Sequence, residues 1–145
     1  MSHARARQAI EIKLIAWAAA RPIRVANFEE GFEPQPDETY LRAYLLPAGT
    51  NCRYLGGEAY EYAGVYQVSI VCPAGQALAT AETLIDELNI LFRVDSRLSR
   101  SGFEGLITEP VEQGPTIPEP ATYTVPASFT YRGVADQPAF QEKSP

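Results

Sequence analysis

Between Gly64 and Phe92 the hydrophobic period of the chain switches from two to helical across a three-residue turn. That switch limits what the chain can fold into. The run Gly64-Val65-Tyr66-Gln67-Val68-Ser69-Ile70-Val71-Cys72 places Tyr66, Val68, Ile70 and Cys72 on one face of a strand. The turn Pro73-Ala74-Gly75 follows. From Gln76 to Phe92, Leu78, Ala81, Leu84, Ile85, Leu88, Leu91 and Phe92 fall into one stripe at helical spacing. Two such faces can cover each other, which predicts the structural heart of one compact domain. The stretch carries no recognisable reactive group, and this points toward assembly rather than catalysis.

The flanking sequence supplies further elements. Residues 3–20 read as a helix, with Ile10, Leu14 and Trp17 in one stripe and Ala9, Ile12, Ile15, Ala16 and Ala19 in a second. That apolar arc is wider than one sheet needs. Two readings follow: a helix buried deep in its own domain, or a helix wedged between its own sheet and a neighbouring subunit. Pro22 ends the helix. Ile23–Ala26 reads as a short edge strand and Asn27–Glu38 as a loop. Thr39–Pro47 is a strand with Leu41, Ala43 and Leu45 inward and Tyr40, Arg42 and Tyr44 outward. Ala48–Ala63, with its glycines and tyrosines, reads as a projecting hairpin or long loop. Leu98–Ser101 reads as a turn, Phe103–Val111 as a strand and the proline-rich Gln113–Ala121 as an extended connector. Thr122–Tyr131 alternates again, and Pro126 assigns it to a sheet edge or a bulge. The expected fold class is α+β: a mostly antiparallel sheet of about four to five strands flanked by an N-terminal and a central helix, in the order α-β-β-α-β-β. Residues 1–133 form the expected domain and 134–145 a flexible C-terminal tail.

Charge narrows the partners. Residues 1–24 hold five basic groups (Arg5, Arg7, Lys13, Arg21 and Arg24) against the single acid Glu11, a balance of +4. The remainder holds 7 basic and 17 acidic residues, a balance of −10. An acidic body repels phosphates, which argues against non-specific DNA binding, and a basic N-terminal element could meet an acidic body head to tail. No apolar run reaches the roughly 18 residues that span a bilayer. Arg5 and Arg7 before an alanine-rich stretch resemble a secretory signal, but Glu11 and Lys13 interrupt its core. The preferred reading is an amphipathic helix on a cytoplasmic protein.

A search for chemistry returns little. The only histidine, His3, lies beside the terminus, where a fraying end cannot hold catalytic geometry. His3, Cys52 and Cys72 lack the number and spacing of a zinc site. Cys72, on an apolar strand face, is expected as a buried free thiol, and a Cys52–Cys72 disulfide is not favoured. Pro73-Ala74-Gly75 lacks the glycine-rich cradle of a phosphate loop. The acids Glu29, Glu30, Glu33, Asp37 and Glu38 lack EF-hand spacing. The expectation is therefore no catalytic residue, no metal and no cofactor. Tyrosine is the one suspicious type: the candidate interaction surface comprises Arg53, Tyr54, Glu58, Tyr60, Glu61 and Tyr62, with Arg5 and Arg7 of the basic N-terminal element.

Three stretches together resemble a known family. Tyr40-Leu41-Arg42-Ala43-Tyr44-Leu45-Leu46-Pro47, preceded by Asp37-Glu38-Thr39, is similar to its Tyr-Leu-x-x-x-Leu-Leu-Pro strand. Gly64–Gly75 is similar to its central Gly-x-Tyr-Gln-Val-x-x-x-x-Pro-x-Gly segment, and Tyr123–Arg132 to its closing strand. The chain thus resembles the phage tail terminator-like proteins, related to the tail tube terminator of lambda-like siphophages, over most of residues 5–133. These motifs are structural and mark no active site. The resemblance implies an α+β fold with a mixed or antiparallel sheet. It also implies a hexameric ring that caps the finished tail tube and presents a surface to the head–tail connector protein. Implied partners are further copies of the chain, the tail tube protein and the connector, with DNA passing through unbound and no membrane. The implied location is the bacterial host cytoplasm during assembly, of phage or prophage origin, then the virion tail. The alternatives are another head–tail joining or tail completion protein, and a small-molecule-binding domain using the sheet face and the tyrosine-rich hairpin.

Overall fold

The computed structural model describes residues 2–26, 32–51 and 59–136. Its elements are α1 (Ser2–Ala19), β1 (Arg24–Ala26), β2 (Tyr40–Asn51), β3 (Ala59–Pro73), α2 (Leu78–Leu91), β4 (Arg97–Arg100), β5 (Phe103–Gln113), β6 (Ile117–Pro118) and β7 (Thr122–Asp136). The α+β class holds, but the sheet has seven strands and is mixed. The spatial order is β1-β2-β3-β7-β5-β4, with β6 also paired to β7. β1 runs parallel to β2, and the other pairs are antiparallel. The order expected from sequence is therefore corrected at three places. β1 is the short edge strand read at Ile23–Ala26, but it pairs parallel to β2 and adds a strand to that order. Arg97–Arg100 is strand β4 rather than part of a turn. The connector after Gln113 contributes β6.

Period two builds the core as expected. Tyr66, Val68, Ile70 and Cys72 of β3 are all buried. They share one hydrophobic core with Ile10, Leu14 and Trp17 of α1, with Leu84, Ile85 and Leu88 of α2, and with Val125, Phe129 and Tyr131 of β7. Both helices thus cover the same sheet face. α1 reaches β4 at one end of the sheet and β1 at the other, so the sheet curls around it. α2 packs chiefly over β5. Its Leu88 lines, with Val68, Val111, Ala127 and Phe129, a narrow seam with no room for water.

β7 is a central strand between β3 and β5, so of the two readings of Pro126, a sheet edge or a bulge, the edge is excluded. The Pro126 carbonyl accepts from the Gly114 N–H at 2.8 Å. In an antiparallel strand the N–H and C=O of one residue point the same way. The missing N–H therefore faces the break between β5 and β6, and the ladder to β3 loses nothing. The strand reaches Asp136, three residues past the expected boundary, and residues 137–145 lie outside the described residues.

The curl is tight where Gly105 pairs with Gly133 and the Phe103 ring lies over them. A Cβ on Gly133 would overlap the Phe103 ring. Gly133→Ala is expected to cost about 1–3 kcal/mol by overpacking. Urea titration checks this, and an unchanged midpoint would mean that Phe103 simply moves aside.

Candidate functional site

The tyrosine-rich hairpin is the arm formed by β2 and β3 beyond Pro47. Arg53, Tyr54 and Glu58 lie outside the described residues. The other candidates separate by strand face. Tyr62 points into the core and is buried, which corrects its reading as an interface group: it shares the even-numbered face of β3 with Tyr66 and Val68. Tyr60 is half-buried, its ring 6.4 Å from that of Tyr62. Glu61 faces the other side and pairs with Arg132 of β7 at 3.8 Å.

His3 does not fray. Its Nδ1 lies 2.8 Å from the Tyr131 hydroxyl and its Nε2 3.1 Å from the Thr50 hydroxyl. The Tyr62 ring meets it edge-on at 4.9 Å. The start of α1 is thereby fastened to β2, β3 and β7. Burial disfavours the imidazolium and lowers the His3 pKa from its ordinary 6.5. The unfolded chain then takes up this proton first, so stability falls as pH drops below 6.5 and levels off once the folded imidazole is also protonated. Because His3 is the only histidine, His3→Phe is expected to flatten this part of the stability–pH profile, read by thermal melts. A second loss is expected further down. Hydrogen bonds from the Arg24 guanidinium and the Gln35 N–H hold the Glu38 carboxyl at about 2, so its contribution disappears between 4.5 and about 2.

The basic N-terminal element divides into paired and unpaired groups. Arg7 pairs with Glu11 at 2.8 Å, Arg24 with Glu38 at 2.6 Å, and Arg21 with Glu87 of α2. Three of the five cations are thus satisfied within the chain, which corrects the picture of a basic element wholly free for a neighbour. Arg5 and Lys13 remain. Arg5 donates to the Ser101 carbonyl at 3.4 Å and Lys13 to the Arg97 carbonyl at 3.0 Å, while Arg100 donates to Gln8 at 3.4 Å. Arg5, Lys13 and Arg100 therefore gather where α1 covers β4, and none has a carboxylate partner among the described residues.

The wide apolar arc of α1 also divides. Ala6, Ala9, Ile10, Leu14, Trp17 and Ala18 are buried, whereas Ile12 is 54% and Ile15 49% exposed, with Ala16 and Ala19 exposed beside them. The reading of a helix buried all round within its own domain is excluded. The outer face of α2 carries Ala79, Glu82, Thr83, Asp86 and Ile90, with Ile90 73% exposed. Sequence reading missed Ile90 and β4. The signal for Ile90 was present: an isoleucine off the apolar stripe, on the acidic face.

Little here suggests small-molecule chemistry. Among the described residues no group of His, Cys, Asp and Glu could hold a metal ion. Cys72 is buried and free, and burial pushes its thiol pKa up; Cys52 lies outside the described residues. A cavity of about 460 Å³ lies at the β1–β2 edge, lined by Phe32, Pro34, Tyr40, Arg42 and Tyr44 among others. It is distinct from the hairpin, and among the described residues Arg42 is the one permanently charged group in its lining.

Comparison with known proteins gives three findings. The profile of the family described as "phage tail terminator protein" matches residues 5–131. No curated protein matches. One solved structure is similar over its whole length, with 35% identity and a TM-score of 0.75, covering 98% of this chain and 99% of that one.

Proposed function

The chain belongs to the phage tail terminator family, a family of structural proteins, and from that premise we propose that it caps the tail tube, ends its polymerisation and provides the surface that joins the head. The match over residues 5–131 carries this reading. The exposed apolar stripe of α1 supports it, because monomers leave such stripes uncovered less often than assemblies do. The working form is a ring of six copies, the number coming from the family resemblance alone. Its partners are further copies of itself, the tail tube protein and the head–tail connector. An acidic lumen lets DNA slide through without holding it. The protein acts without catalysis, metal or cofactor, first in the host cytoplasm and then in the virion tail.

The test adds the protein to purified tail tube and images the ends. A ring at one end and arrested elongation are expected. Tubes that lengthen equally with and without the protein, with no particle carrying it at an end, would remove the terminator reading. The aromatic cavity beside Arg42 would then bring a small-molecule-binding function forward.

A further inference from the structure

We propose that copies of this chain join through their two helices: the outer face of α1 on one copy packs against the outer face of α2 on the next. The terminator reading enters only in the closure of such contacts into a ring. The contact itself stands on the charges and apolar groups of the two faces.

The α1 face has an apolar centre with a cationic rim, and the α2 face has an acidic centre with Ala79 at one end and Ile90 at the other. On α1, Ile12, Ile15, Ala16 and Ala19 recur at helical spacing and are exposed. Their rim is cationic: Arg5 and Lys13 from α1 and Arg100 from β4. Backbone and amide hydrogen bonds place these cations, and no carboxylate neutralises any of them among the described residues. On α2, Ala79, Glu82, Thr83, Asp86 and Ile90 form the matching stripe. Neither Glu82 nor Asp86 has a basic partner among the described residues.

The charges select the partner and the symmetry. Pairing α1 with α1 would set cations against cations, and pairing α2 with α2 would set acids against acids. Both two-fold arrangements are penalised, and the mixed one is favoured. A mixed contact is heterologous, so every copy added leaves one α1 face and one α2 face open. Growth then continues until the rotation closes a ring. A second copy is the occupant that supplies both faces in equal number.

The test uses Ile12→Asp and Ile90→Asp, both at exposed positions, with unchanged far-ultraviolet circular dichroism confirming the fold. Self-association of the full chain is measured by sedimentation velocity and native mass spectrometry. Each variant alone is expected to associate about 100-fold or more weakly than the parent. A one-to-one mixture is expected to recover a heterodimer and stop there, because one variant retains a sound α2 face and the other a sound α1 face. Association of the parent is expected to weaken as salt rises from about 0.1 M to 1 M and the screening length falls from about 10 Å to 3 Å. The proposal is overturned if the parent stays monomeric at about 1 mM. It is overturned equally if both variants associate like the parent, or if the mixture gives no heterodimer. Variants that self-associate normally but lose tail tube binding would assign these faces to the tube protein instead. Failure of the contact is distinguishable from failure of the terminator reading. Capping by both variants as well as the parent removes the contact alone, and a contact that passes while tubes grow unchecked removes the terminator reading alone.

Discussion

Phe129→Ala is expected to destabilise the fold by about 3–5 kcal/mol, as large aromatic-to-alanine changes in a packed core do. Phe129 sits on the core face of β7, with β3 on one side and β5 on the other. Its ring stacks on Phe92 at 4.6 Å and lies 5.7 Å from the Tyr66 ring. Phe92 follows the last turn of α2, where its N–H still bonds the Leu88 carbonyl at 2.8 Å. One side chain thus ties the centre of the sheet to the end of the helix. The loss would take a large share of the roughly 5–15 kcal/mol that holds such a domain together. Chemical denaturation measures it. A change below about 1 kcal/mol would mean that the aromatic cluster repacks around the gap and does not act as a keystone.

What could be read from the sequence was what local period determines. The β3 alternation and the α2 stripe are set by neighbours a few residues apart, and both elements are present, although β3 starts at Ala59, five residues before the Gly64 that the alternation marked. β4 was not legible in this way. Arg97-Leu98-Ser99-Arg100 is too short for alternation to declare itself, and it is a strand because β5 pairs with it and α1 lies against it. β6 is two residues including Pro118, held only by β7. The anchoring of His3 depends on Tyr131, Thr50 and Tyr62, contacts that no local window contains. The width of the apolar arc on α1 was visible from residue spacing. Which part of the arc faces outward depended on how the sheet curls, and this excluded the reading of a helix buried deep in its own domain. Tyr62 shows the opposite error: a tyrosine in a polar segment suggested a surface, whereas strand parity put it in the core. The motifs that resemble the terminator family lie on β2, β3 and β7, three adjacent strands, so they report the scaffold.

Leu88→Ala and Ile90→Ala, two residues apart on α2, are expected to behave as opposites. Leu88 is buried in the dry seam with Val68, Val111, Ala127 and Phe129, and its truncation is expected to cost about 2–5 kcal/mol. Ile90 is largely exposed, and its truncation is expected to change monomer stability by less than about 0.5 kcal/mol. The two experiments separate what α2 does for the fold from what it offers to a neighbour. If Leu88→Ala costs less than about 1 kcal/mol, α2 is not seated as described, and the outer face that Ile90 defines loses its fixed position as well. If Leu88→Ala is costly and Ile90→Ala is silent in the dilute monomer, the same Ile90→Ala protein can be compared with the parent at high concentration. There, a weakened association with unchanged folding would show that the exposed isoleucine serves contact between chains rather than the core.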